Sequence, residues 1–182
     1  MSLLPIVKWP NPLLKEKSEP VKVVDESIQK FMKDMYDTMI HENGIGLAAV
    51  QVGQLKRILV IHIQDNERYD DVEGNEEIST EPLFVVNPKI IKESDEYIIY
   101  KEGCLSFPGQ FANVKRHNEI TVEYLDFNGE KQEVHATGIL SICLQHEIDH
   151  LNGIRFIDHL SPLKRSMLLK KLKKQGINHD EN

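Results

Sequence analysis

Apolar positions recur at helical spacing near both ends of the chain, and in short β-branched runs through the middle. After Asp25, an expected N-cap, Ile28, Phe31, Met32, Met35 and Met39 follow a helical period until Asn43 and Gly44 stop it. RILVIHI at 57–63 and LFVVNPKII at 83–91 predict strands, and the polar, acidic stretch 65–77 between them predicts an exposed loop. EITVEYLD at 119–126 and KQEVHA at 131–136 predict a hairpin across Phe127-Asn128-Gly129-Glu130, because Asn-Gly tolerates the positive φ of a tight turn. A second helix is expected from near Thr137 to Gly153, carrying Ile139, Leu140, Ile142, Cys143, Leu144 and Leu151. The last starts at Ser161-Pro162, with proline in the first helical position, and ends near Gly176. On it Leu163, Met167, Leu168 and Leu172 are expected to form the packing face. The order predicts an α+β fold: mixed or antiparallel strands around a central helix, with further helices at the N- and C-terminal ends.

A chain of 182 residues suits one domain spanning 1–182 with one substantial core. No apolar run approaches the roughly 20 residues that cross a bilayer, and MSLLPIVKWPNP does not read as a secretory signal. The two cysteines, Cys104 and Cys143, have no disulfide-rich context, so a reducing, cytoplasmic setting is expected. Net charge is −7, unevenly placed. Six of the 22 basic residues fall in Ser161–Gln175 with no acid among them, leaving 16 against all 29 acidic side chains elsewhere. That balance excludes DNA binding by the body of the chain.

Chemistry concentrates in His146-Glu147-Ile148-Asp149-His150. Residues four apart share a helix face, so both imidazoles can reach one metal ion, while Glu147 stands to the side where a general base acts on water. A catalytic site of this type takes a third protein ligand. Cys143, one turn before His146, and Cys104, on irregular backbone in Glu102-Gly103-Cys104-Leu105-Ser106-Phe107-Pro108, both qualify by spacing. His159 could be the third ligand of an ordinary peptidase of the H-E-x-x-H type. A closed structural site would instead use Cys104, Cys143, His146 and His150 together. In Gly44-Ile45-Gly46-Leu47-Ala48-Ala49-Val50-Gln51, small residues allow close backbone approach, as when a peptide adds as a strand, and Gln51 could donate to a developing oxyanion.

Taken in order, GIGLAAVQ, EGCLS and QHEIDHLNG resemble the three signature motifs of the peptide deformylase family, and the likeness runs from Leu13 to the SPLKR of the last helix. The resemblance implies removal of the formyl group from N-formylmethionyl nascent peptides. It implies a ferrous ion held by Cys104, His146 and His150, with zinc, nickel or cobalt able to replace it. Glu147 would act on the water, and Gln51 with the Leu105 N–H on the oxyanion. Ile45 and Gly103 would bind the substrate backbone, and Gly44, Gly46, Ile139, Ile142, Cys143 and His146 would line the methionine pocket. The basic run on the last helix reads on its own as a solvated face; the resemblance implies instead that this helix docks on the ribosome. The chain departs from compact relatives in the acidic stretch 65–77 and in Phe111, where many relatives carry a basic residue.

The cysteine roles make a direct prediction. Cys104→Ala should lose its metal, whereas Cys143→Ala should retain it in stoichiometric amount. Elemental analysis of the two variants, purified without oxygen, measures both outcomes and identifies the native ion. Retained metal in the Cys104 variant would reverse the roles.

Overall fold

The computed structural model describes residues 2–63 and 81–177, so the acidic stretch 65–77 lies outside the described residues. The described residues form seven strands, β1 (Gly46–Ala48), β2 (Ile58–Ile61), β3 (Leu83–Glu93), β4 (Tyr97–Gly103), β5 (Phe111–His117), β6 (Glu119–Leu125) and β7 (Lys131–Thr137). Their three α-helices are α1 (Glu26–His41), α2 (Gly138–Leu151) and α3 (Pro162–Ile177). One sheet of five strands has the order β1-β2-β3-β6-β7, and β4 with β5 makes a separate two-stranded ribbon. The fold is α+β, as the pattern predicts, and among the described residues the seven strands pair only antiparallel, with one isolated parallel bridge between Glu19 and Lys56.

β2 explains the layering. All its residues are buried, and a strand covered on both faces reads as an unbroken apolar run. Ile58 and Val60 join the cluster of Met32, Met35 and Met39 from α1. Leu59 and Ile61 join the cluster that holds Ile139, Ile142 and Leu144 from α2. A third cluster gathers Phe107, Val114, Phe156, Leu168 and Leu172 beneath α3. The sheet therefore lies between α1 and α2, and α2 is held on all sides.

Local signals act as expected at several boundaries. The Asp25 carboxylate accepts from the Ile28 N–H at 3.0 Å and caps α1. β3 extends past the predicted 91 to Glu93, with a register shift between Val86 and Lys89. Pro88, which has no N–H, sits inside that shift. At its start the Asn87 side chain both donates to and accepts from the backbone of Val21, at 2.8 Å each way.

The predicted hairpin is present: β6 and β7 pair antiparallel around the residues between Leu125 and Lys131, and Gly129 of the Asn-Gly pair takes the positive φ. Asp126 organises the turn by accepting from the N–H groups of Asn128 and Glu130 at 2.8 and 2.9 Å. The packing face expected on α3 is corrected: of its four residues only Leu168 and Leu172 are buried, while Leu163 and Met167 are exposed. At about 100° per residue, 163 and 167 fall some 140° away from 168 and 172, so the four residues never shared a face. The β4–β5 ribbon was not predicted, because its outward row is itself partly apolar and hides the two-residue period. Among the described residues, no helix is long and apolar enough to cross a membrane.

Candidate active site

α2 is buried along nearly its whole length, including Gln145, His146, Glu147 and His150. Burying such groups costs several kcal/mol unless each finds a partner. Ser141 donates to the His117 carbonyl at 3.0 Å, and Gln145 donates to the same oxygen at 2.8 Å while accepting from the His117 N–H at 3.1 Å. These bonds fix the helix against the β5–β6 connection and set the direction of the next turn.

On that turn His146 and His150 meet Cys104, which follows the last residue of β4. One ligand atom from each lies within 4.8 Å of the others, and no second such group of three occurs among the described residues. The His150 Nε2 is 3.3 Å from the Cys104 Sγ. The donor set, one thiolate and two imidazoles, fits a divalent ion of the zinc or iron type with a coordination position left for water. Local electrostatics agree. Burial alone would lower the pKa of His146, but its hydrogen bonds to Cys104 and Glu102 raise it well above the usual value, so this point of the site attracts positive charge. Burial lowers His150 well below its usual value, which leaves a neutral ring with a lone pair to offer.

Glu102 controls the orientation of His146. Its carboxylate accepts from the His146 Nδ1 at 2.8 Å and from the Arg116 Nε and Nη2 at 2.7 and 3.0 Å. Burial would raise the Glu102 pKa, but the bonds from His146 and Arg116 prevail and hold it at about 2. Arg116 then donates to Asp149 at 2.5 Å, and Asp149 meets the His159 Nε2 at 2.7 Å. With Nδ1 occupied by Glu102, His146 has only Nε2 left for a metal.

Glu147 packs beside the group. Its Oε2 is buried and has no protein hydrogen-bond partner. Burial pushes its carboxyl up to about 7, against the lowering effect of His146. Gly46 makes room for it, since a Cβ there would lie 2.5 Å from the Glu147 Oε1 and 2.8 Å from the Cys143 Sγ. The Gln51 Oε1 accepts from the Ala48 N–H at 2.8 Å, which turns the Nε2 toward the Cys104 Sγ at 3.4 Å and the Ser106 Oγ at 3.3 Å.

A cavity of about 710 Å³ opens over these groups. Gly44, Ile45, Gly46, Gln51, Gly103, Cys104 and Leu105 line it together with Ile139, Ile142, Cys143, His146 and Glu147. The residues that the three motifs assign to the site are therefore in one place, with His150 fully buried beside the lining residues His146 and Glu147. Cys143 stands outside the ligand group. Burial, aided by Glu147, raises its pKa well above the usual value and keeps it a neutral thiol facing the Ile45 carbonyl. His159 is likewise outside, held by Asp149. Neither the four-ligand module nor the peptidase set is assembled.

Sequence reasoning missed Glu102, Arg116 and the rim residue Lys101. The only signal for Glu102 was general: a ligating imidazole needs a partner for its other nitrogen. Spacing could not name that partner, 44 positions away.

Residues 3–166 match the family model described as polypeptide deformylase. The chain is 52% identical over 174 residues to the peptide deformylase of Rickettsia akari, covering 96% of this chain and 97% of that one. It is 47% identical over 175 residues to that of Zymomonas mobilis, covering 96% of each. Its fold is similar to the crystal structure of peptide deformylase from Ehrlichia chaffeensis, with a TM-score of 0.90 and 46% identity, covering 98% of this chain and 99% of that one. The Ehrlichia chaffeensis enzyme in complex with actinonin gives a TM-score of 0.88 at 46% identity, covering 96% and 98%.

The Glu102 network predicts that Glu102→Gln loosens the retention of a divalent ion about 10–100-fold, although no ligand atom is removed. The exchange also leaves the buried Arg116 short of an anion, which should lower stability by about 3 kcal/mol. Competition with a chelator and urea unfolding measure the two effects. Unchanged ion retention would refute the orienting role of Glu102.

Proposed function

The chain belongs to the polypeptide deformylase family, and from that premise we propose how its residues perform the reaction. It is a hydrolase that removes the N-formyl group from the formylmethionine of newly made polypeptides, releasing formate. We propose that 1–182 act as one catalytic domain, in which Cys104, His146 and His150 hold a ferrous ion. Zinc, nickel or cobalt would be able to occupy the same ligands in the purified protein. When bound, the ion supplies Lewis-acid activation of water and of the formyl oxygen.

The remaining steps belong to side chains of this chain. Substrate enters extended along the edge strand β1, its backbone met by Ile45 and Gly103. Its methionine side chain goes between Ile139, Ile142 and Cys143, close to Gly44 and Gly46. Glu147 takes the proton of the attacking water on Oε2, the buried oxygen that has no partner in the protein. Gln51, held by Ala48, and the N–H of Leu105 donate to the formyl oxygen as charge gathers on it. Glu147 then gives its proton to the leaving nitrogen, and formate and the free amine separate. The formyl carbon carries only hydrogen, so a site cramped at that point would admit it and exclude bulkier acyl groups.

The observation that carries this reading is the position of Glu147. A desolvated carboxylate with a free oxygen stands beside a three-ligand group, at the floor of a cavity of about 710 Å³.

We also infer a cytoplasmic enzyme that docks on ribosomal RNA through α3. Leu168 and Leu172 hold one face of this helix on the core, and Lys170, Lys171, Lys173 and Lys174 are exposed. Arg165 is drawn back to Asp158 at 3.6 Å and leaves the lysines as the free charge.

Glu147→Ala should keep its metal and its peptide affinity while losing about 10²–10⁴-fold or more in turnover, because one group serves twice. Formate release from formyl-Met-Ala-Ser by protein prepared without oxygen gives the rate, with the unformylated peptide as control. Substantial remaining turnover would contradict the role.

Changing Lys170, Lys171, Lys173 and Lys174 together to Glu should abolish salt-sensitive co-sedimentation with ribosomes and leave short-peptide turnover nearly unchanged. Sedimentation like that of the parent at low salt would end the docking idea.

A further inference from the structure

One face of the β4–β5 ribbon has no part in the catalytic reading. Side chains alternate along both strands, and Tyr97, Ile99, Lys101, Phe111, Asn113 and Lys115 all turn to solvent. Tyr97, Ile99 and Phe111 are 52%, 68% and 60% exposed, which is unusual for three large apolar side chains on one small surface. Pairing sets Ile99 opposite Lys115, Lys101 opposite Asn113 and Gly103 opposite Phe111. The Lys115 ammonium lies 4.0 Å from the centre of the Tyr97 ring, and that of Lys101 lies 5.6 Å from the Phe111 ring. None of the six outward side chains is acidic, in a chain whose net charge is −7. Lysines alone would serve to protect a ribbon from pairing with other chains. Apolar side chains interleaved with them do the opposite.

The face is continuous with the catalytic cavity. Lys101, Gly103 and Phe111 line the cavity mouth, and the Phe111 ring covers Gly103 so closely that a Cβ there would lie 2.6 Å from it. From Gly103 the outward row leads away through Lys101 and Ile99 to Tyr97. At about 3.3 Å per residue it is some 20 Å long, room for about six residues of extended peptide.

We propose that this face is a second substrate-contact surface, which takes the stretch of nascent chain following formylmethionine and favours aromatic, aliphatic and acidic side chains there over lysine and arginine. The inference rests on the deformylase reading. Apolar substrate side chains cover Ile99 and the two rings, and substrate carboxylates reach the ammonium groups of Lys101 and Lys115. The net negative charge of the protein would on its own repel acidic peptides, so a preference for them reports the local surface and not the overall field.

The test uses the metal-loaded full chain and three substrates. Formyl-Met-Ala is the short reference. Two octapeptides share that start and continue with alternating Phe and Glu, or alternating Phe and Lys. The variant combines Tyr97→Ser, Ile99→Ser and Lys115→Glu, none of which lines the cavity. The parent should show a kcat/KM about three- to tenfold higher for the Glu octapeptide than for the Lys octapeptide, as expected of two exposed charge contacts. In the variant that ratio should fall to one or reverse. Each rate is divided by the rate on formyl-Met-Ala, which reports folded, metal-loaded enzyme. Should the triple variant fail to fold, Lys115→Glu alone must move the ratio in the same direction. A parent ratio within twofold of one, or a ratio that the variants leave unchanged, overturns the proposal. So does an unchanged ratio with lost salt-sensitive binding to a single-stranded RNA oligonucleotide, which would make the face an RNA surface. No turnover of formyl-Met-Ala by the parent would overturn the deformylase reading and the proposal with it.

Discussion

A helix buried on every side has nowhere to send a polar side chain, and α2 carries five that are buried: Ser141, Gln145, His146, Glu147 and His150. Each must be answered from another element. Ser141 and Gln145 are answered by the backbone of His117, and His146 by Glu102. Glu102 in turn requires Arg116, and Arg116 reaches Asp149 back on α2. The circuit runs from helix to ribbon and returns to the helix, tying the element that bears the imidazoles to the one that bears Cys104. The atoms of α2 left without a protein partner are the Glu147 Oε2 and the His150 Nδ1, both in the catalytic neighbourhood. On this helix unsatisfied polarity is gathered where chemistry can use it; elsewhere among the described residues the Ser18 Oγ and the Arg165 Nε are also buried without a hydrogen-bond partner.

Much of this was legible because the chemistry is local. His146, Glu147 and His150 sit on one helix, where a fixed period converts spacing into direction. Gly46 and Gln51 lie in one short segment whose small residues announce close approach. The Gly-Ile-Gly run now has a physical cause: the Glu147 carboxylate occupies the space that a side chain at 46 would need. Cys104 over Cys143 was decided by resemblance, since both spacings permit a ligand. The structure supplies the separate reason that Cys143 faces the Ile45 carbonyl as a neutral thiol.

What stayed hidden was non-local or disguised. Glu102 and Arg116 are 14 positions apart and pair only because the ribbon brings them inward on adjacent strands. The ribbon itself escaped notice because Tyr97, Ile99 and Phe111 are apolar residues on a solvent face, which breaks the inward–outward rule that reveals a strand. The misjudged face of α3 has another origin. Four leucine and methionine positions fit a helical period pairwise but not together, and only the pair at 168 and 172 had a core to meet.

Because α2 is at once part of the core and, on the proposed function, the seat of catalysis, positions in this molecule differ sharply in how freely they can drift. A substitution that reshapes the inner wall at Ile139, Ile142 or Cys143 disturbs the packing that holds the imidazoles in place, so evasion of a compound lodged there weakens the helix that bears them. Lys101 and Phe111 at the mouth touch no core, and can change at little expense to folding. Resistance and species differences should accordingly collect at the rim, and a small-molecule blocker that confines its contacts to the deep wall leaves the lineage few ways out.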